Sequence, residues 1–272
     1  MERAESLIII AGRDAYPTML AQAARKQGVK RLVVIAFKGE TRRDLVALAD
    51  EVHWVPLGSI RLFLDTLAAT GIKRAVMVGQ IGMHNLFHLR LDKMALELYR
   101  TLDAFNAHTI YGTVADEIEK LGIEVLPGNT YMEGYTPEVG QLSRRAPTDH
   151  ELADIELGLK LVKGTSEFEM GQTVAIKNGI IIAVEAWEGT NQTIKRAGKV
   201  GKAGTVIVKV PKIGHDMRFD IPVVGAKTFK VMKRAKVSCL AVEAGKTILL
   251  EKEKLIEMAD RYGMAFVAVQ SE

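Results

Sequence analysis

Short, continuous apolar runs alternate with helical stretches through the first half of this 272-residue chain. The five runs that we predict to be strands lie at 7–10, 32–37, 52–56, 74–78 and 123–126. Most consist mainly of Val, Ile, Leu and Ala, a composition typical of strands that are buried on both faces. Buried strands that alternate with helices predict a parallel, doubly wound sheet. We therefore expect an α/β, Rossmann-like domain over residues 1–130.

The chain changes character at residues 131–148, a stretch with several glycines and prolines that we interpret as a linker between domains. Beyond it, two apolar runs flank Asn178-Gly179, a dipeptide typical of two-residue hairpin turns. Strands at 239–243 and 247–250 are predicted to flank a second turn at 244–245. We therefore expect a second domain over residues 149–272, α/β again but with an antiparallel component.

Polar residues precede several predicted helices. Ser59 is expected to cap the helix that follows it, and Thr190 or Asn191 is expected to cap the helix that carries Lys195 and Arg196. The N-terminus of that later helix would be a natural anion site, because the first backbone N–H groups of a helix have no partner within it.

Composition limits the classes of function. With 48% hydrophobic and 26% charged residues the chain is globular, and a net charge of +4 favours phosphate-bearing partners. Aromatic residues are only 6% of the chain and do not alternate with basic runs, which argues against nucleic-acid binding. A small anionic substrate fits best, with weak attraction to a membrane surface in addition. Because we recognise no leader peptide and the single cysteine, Cys239, cannot form an internal disulfide, we expect a cytoplasmic protein.

Doubly wound sheets bind ligands at the loops that follow their strands. This rule nominates the loops at 12–16 and 79–85, with Gly12, Gly79 and Gln80 as candidate substrate-binding residues. Neither loop contains G-x-G-x-x-G or a lysine-bearing phosphate loop, so a dinucleotide oxidoreductase and a standard nucleoside triphosphatase have no support. The competing interpretation is that each glycine serves only its turn.

The segment KVPKIGHDMRFDIPVVGAKT, residues 209–228, places charged residues between short apolar runs. If 217–221 is extended, its apolar side chains point to one side while Arg218 and Asp220 point to the other. The charged side could then face a cleft and act on a phosphate ester. The alternative is that Arg218 and Asp220 form only a solvated or cross-strand ion pair, and the charge pattern leaves both interpretations open.

Four motifs, EAWEGTNQTIKRAG, KVPKIGHDMRFDIPVVGAKT, GQTVAIKNGIIIAVEA and AVEAGKTILLE, together resemble a known family. It is the UDP-2,3-diacylglucosamine pyrophosphatase family of lipid A biosynthesis, of the LpxI type, unrelated to the calcineurin-like metallophosphoesterases. The resemblance covers nearly the whole chain and is densest over 145–250. It implies a Rossmann-like first domain, a family-specific second domain, substrate bound between them, and a homodimer.

The resemblance also implies a reaction. UDP-2,3-diacylglucosamine would be hydrolysed to UMP and 2,3-diacylglucosamine 1-phosphate, with water attacking the phosphorus of the UMP half and Mg²⁺ as cofactor. The essential aspartate of the RFD motif would be Asp220. Asp220 and Glu188 are the expected catalytic residues and metal ligands, and Glu185 is a more distant candidate.

Basic and hydroxyl groups are expected to bind the substrate, because the pyrophosphate carries two negative charges. Besides the two loop glycines and Gln80, the expected substrate-binding residues are Gln172, Thr190, Lys212 and Arg218. Each has a purely structural alternative: the carboxylates as surface or cap groups, Lys212 as a loop charge, and Thr190 as a helix cap only.

Two residues depart from the family's usual pattern: Asn191 replaces an aspartate, and His215 replaces a glutamine. They leave room for a binding or regulatory protein that captures a nucleotide sugar or phospholipid without cleaving it. An enzyme acting on a nucleotide diphosphate sugar without acyl chains is a second alternative, and a Rossmann-type oxidoreductase is a distant third. The acylated substrate would bring the protein to the inner membrane face as a peripheral visitor.

Overall fold

The computed structural model describes residues 5–81, 90–102 and 106–270. The chain divides into two compact units, and each is described by itself. The first contains the described residues up to Met132 together with Asp216–Asp220, and the second contains Glu133–His215 and the described residues from Ile221 onward. None of the described helices is long and apolar enough to cross a membrane.

The first unit contains five strands, four α-helices and one 3-10 helix among its described residues. In chain order these are β1 (Ser6–Ala11), α1 (Tyr16–Lys26), β2 (Arg31–Phe37), a 3-10 helix (Arg43–Leu48), β3 (Glu51–Val55), α2 (Ile60–Ala69), β4 (Arg74–Val78), α3 (Lys93–Arg100), α4 (Ala107–Lys120) and β5 (Glu124–Leu126). The strands form one parallel sheet in the order β3-β2-β1-β4-β5. This order is that of a doubly wound fold, so the Rossmann-like prediction is confirmed.

The centre of this sheet is buried on both faces, as the continuous apolar runs predicted. Every residue of β1 after Ser6 is buried, and Leu7 pairs with Leu32 of β2 in parallel register. On one face, Ile8 and Val33 pack with helix residues that include Leu67 of α2. The helices therefore cover the strands, and the strand ends with their loops are left to form sites.

The start of α2 differs from the expectation. Ser59 occupies the N-cap position but its side chain accepts no capping hydrogen bond, so that prediction is wrong. Instead, one carboxylate oxygen of Asp92 accepts the N–H of Arg61 at 2.9 Å, and the other accepts the N–H of Ala95 in α3 at 2.7 Å. A charged cap from a distant part of the chain replaces the local serine.

The second unit contains a larger, mixed sheet. Its elements are a 3-10 helix (Glu133–Tyr135), β6 (Gly140–Gln141), α5 (Asp149–Gly164), a 3-10 helix (Ser166–Phe168), β7 (Thr173–Lys177), β8 (Ile180–Val184), α6 (Thr190–Gly201), β9 (Thr205–Lys209), β10 (Val223–Val224), α7 (Ala226–Ala235), β11 (Val237–Glu243), β12 (Ile248–Leu249), α8 (Lys252–Tyr262) and β13 (Ala265–Val269). The sheet order is β6-β13-β11-β9-β7-β8. Strands β9, β11 and β13 pair in parallel, whereas β6 with β13, β7 with β9 and β8 with β7 pair antiparallel. The mixed α/β prediction is confirmed.

Two local predictions in this unit have different outcomes. Asn178 and Gly179 both have positive φ, as a primed hairpin turn requires, and Asp154 accepts both of their backbone N–H groups, at 2.8 and 2.7 Å. The hairpin is therefore confirmed. By contrast, β12 pairs in parallel with β10 and not across the 244–245 turn with β11, because β11 already pairs with β9 and β13.

Of residues 131–148, interpreted from the sequence as a linker, those from Glu133 onward contribute ordered structure to the second unit. They include the 3-10 helix and β6, which pairs with β13 through Gln141 and Val267. The segment then leads directly into the first turn of α5.

The first turn of α5 is held by a reciprocal cap. Thr148 and Glu151 each accept the backbone N–H of the other, and Arg145 donates two hydrogen bonds to the Glu151 carboxylate, at 2.7 and 2.9 Å. Burial favours the protonated carboxyl, but the hydrogen bonds from Arg145 and Thr148 outweigh burial and lower the pKa of Glu151 from 4.5 to about 2. The ionised form is therefore tied to the folded state.

We predict that this carboxylate makes stability depend on pH. A carboxyl group whose pKa is lower in the folded chain stabilises the fold above its unfolded pKa and loses that effect as pH falls through the folded value. Glu151→Gln should lower the free energy of unfolding by about 1–2 kcal/mol at pH 7, the ion pair being partly solvent-exposed, and the difference from wild type should vanish as pH falls from 4.5 to about 2.

Urea denaturation at several pH values measures this effect. Glu253→Gln is the matched control, because Glu253 is an exposed glutamate in the first turn of another helix, α8. A difference between wild type and Glu151→Gln that stays constant across this pH range would refute the coupling.

Candidate functional site

The RFD motif lies in a turn that belongs to the first unit. The backbone carbonyl of Asp216 accepts the N–H groups of Phe219 and Asp220, at 3.2 and 2.8 Å, and its side chain accepts the N–H of Arg218 at 2.9 Å. An aspartate that bonds the backbone two residues ahead favours a turn over a strand. The extended conformation considered for 217–221 is therefore not the one that the chain adopts.

This turn is anchored to the first unit by apolar and backbone contacts. The ring of Phe219 packs against the rings of Tyr111 and His108 on α4, with centroids 6.0 and 5.6 Å apart. The backbone carbonyl of Met217 accepts the N–H of Gly128 at 2.7 Å. Asp220 is consequently carried by a turn that is fixed on both sides.

Arg218 fixes the same turn electrostatically. Its guanidinium donates to Asp216 within the turn and to Asp116 and Glu119 on α4, at distances of 2.7 to 3.1 Å. The hydrogen bond to Asp216 is the main cause that raises the pKa of Arg218, while the pKa of Asp216 is lowered because the bonds from Arg218 outweigh its burial. These ion pairs of Arg218 lie within the first unit, and they hold the RFD motif in place.

The loops that follow β1 and β4 meet backbone to backbone at the point where the strand order reverses. The N–H of Gly12 donates to the carbonyl of Val78 at 2.8 Å, and the N–H of Arg13 donates to the carbonyl of Gln80 at 2.7 Å. A Cβ atom on Gly12 would lie 2.6 Å from the carbonyl oxygen of Gln80, and one on Gly79 would lie 2.7 Å from that of Arg13. The close approach of the two backbones therefore explains why both positions are occupied by glycine. The end of the expected loop, 82–85, falls outside the described residues.

A buried polar cluster occupies one end of the sheet in the second unit. Thr190, the first residue of α6, has a hydroxyl that donates to the Glu185 carboxylate, whose oxygens lie at 3.0 and 3.1 Å. The hydroxyl oxygen of Thr190 also lies 3.0 Å from the Lys209 ammonium and 3.3 Å from the Thr173 hydroxyl. Glu185 and Lys209 are only 9% and 7% exposed. Two buried opposite charges are therefore joined through one hydroxyl. The expectation that Thr190 or Asn191 caps α6 is wrong, because Gly189 is the N-cap residue.

Lys212 and Gln172 lie close to this cluster in the chain. The ammonium of Lys212 forms an ion pair with Glu169 at 2.5 Å and is almost buried. The backbone carbonyl of Gln172 accepts the N–H of Val210 at 3.1 Å, which holds the start of β7 against the end of β9. Both candidate residues therefore stand at the end of the sheet that carries Lys209.

The carboxylate of Glu188 is occupied by the start of α6. One oxygen accepts from Arg196 and from the Thr193 hydroxyl, and the other accepts the N–H of Ala186 at 3.2 Å. Burial opposes ionisation of this carboxyl, but the bonds from Arg196 and the backbone lower its pKa. As the side chains stand, Glu188 organises the loop between β8 and α6.

With this geometry in view, the comparisons with known proteins identify the family. Residues 6–135 match the model of the LpxI N-terminal domain, and residues 138–267 match that of the LpxI C-terminal domain. The chain belongs to the LpxI family. It is 26% identical, over 97% of both chains, to UDP-2,3-diacylglucosamine pyrophosphatase LpxI of Caulobacter vibrioides.

Solved structures give only distant likenesses. One is a biotin carboxylase subunit of pyruvate carboxylase, with 12% identity and a TM-score of 0.28 over 63% of this chain. Another is the biotin carboxylase domain of Hydrogenobacter thermophilus 2-oxoglutarate carboxylase, with 13% identity and a TM-score of 0.29 over 74% of this chain. The chain covers 34% and 42% of those chains, respectively.

The two departures from the LpxI pattern have different surroundings. The side-chain carbonyl oxygen of Asn191 is buried and has no hydrogen-bond partner among the described residues. The Nδ1 atom of His215 lies 3.2 Å from the backbone carbonyl of Lys212, within the loop that follows β9. Asn191 therefore presents an unused acceptor in the first turn of α6.

The described residues contain no group of three or more His, Cys, Asp or Glu side chains placed to hold a metal ion. The two expected metal ligands, Asp220 and Glu188, belong to different units. The expected site residues thus form two sets: Gly12, Gly79, Gln80, Arg218 and Asp220 in the first unit, and Gln172, Glu188, Thr190 and Lys212 in the second.

Sequence reasoning missed three charged residues that organise these sets. Asp116 and Glu119 lie one turn apart on α4 and hold Arg218, but nothing in the sequence links them to a motif about a hundred residues later. Lys209 had a signal that we did not use: it is a charged residue ending a strand whose other four residues are all buried.

Proposed function

We propose that this chain is a hydrolase that cleaves the pyrophosphate bond of UDP-2,3-diacylglucosamine in lipid A biosynthesis. The observation that carries the proposal is the similarity, over 97% of both chains, to the Caulobacter vibrioides protein named UDP-2,3-diacylglucosamine pyrophosphatase LpxI. The products would be UMP and 2,3-diacylglucosamine 1-phosphate, also called lipid X.

In the proposed reaction, the oxygen of water bonds to the phosphorus of the UMP half. The bond from that phosphorus to the bridging oxygen breaks, and its electron pair leaves with the sugar phosphate. Asp220 either accepts the proton that the attacking water loses, or helps to hold the cation while that proton passes to solvent water. The anchored turn supports such a role, because a catalytic carboxylate must be kept in one position before the substrate binds.

Mg²⁺ is the proposed cofactor, with Asp220 and Glu188 as its carboxylate ligands. When bound, the ion neutralises charge on the non-bridging phosphate oxygens. One or two carboxylates together with substrate oxygens are the usual ligands of this ion, and the unpartnered oxygen of Asn191 has the same chemistry. Asp220 and Asn191 each offer an oxygen of the type that this ion binds, whereas Glu188 would first have to exchange its bond to Arg196.

The remaining candidates are proposed to bind the substrate. Lys212 and Arg218 supply positive charge, and each already has carboxylate partners with which a phosphate would compete. Gln172 and Thr190 offer polar groups in the second unit. Gly12, Gly79 and Gln80 offer backbone at the carboxyl ends of β1 and β4, where doubly wound sheets bind ligands.

A binding protein without turnover is the second candidate, and Asn191 is the observation that favours it. An amide at this position accepts hydrogen bonds but brings no charge to a cation. Tight binding of UDP-2,3-diacylglucosamine without release of UMP, restored to turnover by Asn191→Asp, would establish this alternative.

We further propose a cytoplasmic homodimer that visits the inner membrane face. Phe168 and Ile213 are 69% and 66% exposed, and their loops are joined by the N–H of Ile213 donating to the Ser166 hydroxyl at 2.9 Å. Exposed apolar side chains on neighbouring segments support contact with lipid.

Dimerisation is supported by a different surface. Ile180 and Ile181 are exposed on β8, the strand at the edge of the sheet, and they support pairing with a second copy. Sedimentation of the intact chain with and without vesicles measures both properties.

The activity is tested by incubating the purified chain with UDP-2,3-diacylglucosamine in detergent and Mg²⁺ and measuring UMP release. We expect turnover that a chelator abolishes, and much slower turnover of UDP-glucosamine, which lacks the acyl chains. Equal rates on both substrates would favour the enzyme for unacylated nucleotide sugars, and no release of UMP would contradict the proposed hydrolysis.

A further inference from the structure

Lys209 is a buried ammonium that the proposed mechanism does not use. Lys209 is the last residue of β9 and is 7% exposed. Among the described residues its ammonium donates one hydrogen bond, to the Thr190 hydroxyl at 3.0 Å. A lysine ammonium has three N–H donors, and burying donors without partners is costly. The site therefore retains capacity to donate to a further group.

The surroundings of Lys209 hold its ammonium in place. The Thr190 hydroxyl has one proton, which it donates to Glu185, so it accepts from Lys209 and Thr173. Glu185 thus balances the ammonium through the hydroxyl, and no direct ion pair between the two appears among the described residues. The Glu185 carboxylate therefore does not occupy the remaining N–H donors of the Lys209 ammonium.

The partner chemistry follows from what else lies at Thr190. This residue begins α6, a helix of 12 residues whose N-cap is Gly189 and has no side-chain cap. Helix N-termini carry partial positive charge and free N–H groups. A buried ammonium with spare donors beside them suits an oxyanion of a phosphoryl group.

We propose that Lys209 binds a phosphoryl oxygen of the nucleotide diphosphate substrate, with Thr190 and Glu185 positioning its ammonium. The inference rests on the proposed function for the identity of the substrate, but the phosphoryl site stands on the geometry of Lys209. It adds to the candidate set a second buried lysine, which, unlike Lys212, forms no direct ion pair with a carboxylate among the described residues.

The test is calorimetric binding of inorganic pyrophosphate and of UMP, each alone, to the full chain. Lys209→Met should weaken the binding of at least one anion about tenfold or more, because a charge-assisted hydrogen bond is lost. Lys199→Met is the matched control: Lys199 is an exposed lysine on α6 itself, and its loss should change binding less than about twofold. Whichever anion is affected shows which part of the substrate Lys209 contacts.

A second variant guards against misfolding of Lys209→Met. Thr190→Val keeps the lysine charge but removes the hydroxyl that holds it, and should weaken anion binding by about threefold to tenfold. Unchanged anion binding by folded Lys209→Met, or by Thr190→Val if the former does not fold, would overturn the inference, as would failure of the wild type to bind either anion. Anion binding that depends on Lys209 without UMP release would instead refute only the proposed hydrolysis.

Discussion

Asp220→Asn should abolish most of the hydrolysis of UDP-2,3-diacylglucosamine while leaving the fold intact. The turn that carries Asp220 is held by the backbone of Asp216, by the packing of Phe219 against α4 and by the ion pairs of Arg218, and these contacts do not involve the Asp220 carboxylate. Loss of a catalytic base or metal-holding carboxylate typically costs about 10²–10⁴-fold. We expect kcat/KM for UMP release to fall within that range.

Asp65→Asn provides the control. Asp65 is an exposed aspartate on α2 whose ion pair among the described residues is with Arg61, four residues earlier, so its change should leave kcat/KM within about twofold of wild type. Circular dichroism and the urea midpoint report whether Asp220→Asn is folded. Retention of more than a tenth of the activity by folded Asp220→Asn would remove Asp220 from the catalytic group.

Gly79→Ala should strongly destabilise the first unit. Gly79 has φ of +87°, and a Cβ atom there would lie 2.7 Å from the carbonyl oxygen of Arg13 and 3.0 Å from the carbonyl carbon of Gly12. The left-handed backbone costs roughly 1 kcal/mol for alanine, and forcing backbone apart adds about 1–3 kcal/mol. We expect the free energy of unfolding to fall by about 2–4 kcal/mol.

Gly28→Ala isolates the cost of the backbone contact. Gly28, after α1 in the same unit, has a similar φ of +97° but nothing within 4 Å of its would-be Cβ atom. Its substitution should cost only about 1 kcal/mol, the strain of positive φ. Equal losses for the two variants in urea denaturation would show that the loops after β1 and β4 are not packed backbone to backbone.

The regular elements could be predicted because each is specified locally. Continuous apolar runs identified the central strands of the first sheet, and Asn178-Gly179 identified the hairpin, since both signals depend on the residues of the element itself. The turn at 216–220 was missed because alternation of apolar and charged residues also fits a turn. What decides it is the side chain of Asp216, which bonds the backbone of Arg218.

Contacts between distant parts of the chain could not be predicted. Asp92 replaces Ser59 at the start of α2 only because folding brings it there, and Thr190 turns away from α6 toward Glu185 and Lys209. The pairing of β12 with β10 likewise depends on which strands are already engaged. The motif resemblance directed attention to Asp220, but the partners that fix its turn, Asp116 and Glu119, lie about a hundred residues away.

Hydrolysis in ¹⁸O-labelled water tests the central claim most directly. Purified wild-type chain is incubated with UDP-2,3-diacylglucosamine, detergent and Mg²⁺, and both products are analysed by mass spectrometry. We predict one ¹⁸O atom in UMP and none in 2,3-diacylglucosamine 1-phosphate, because water is proposed to attack the phosphorus of the UMP half. Label in the sugar phosphate, or substrate bound but not cleaved, would contradict the account.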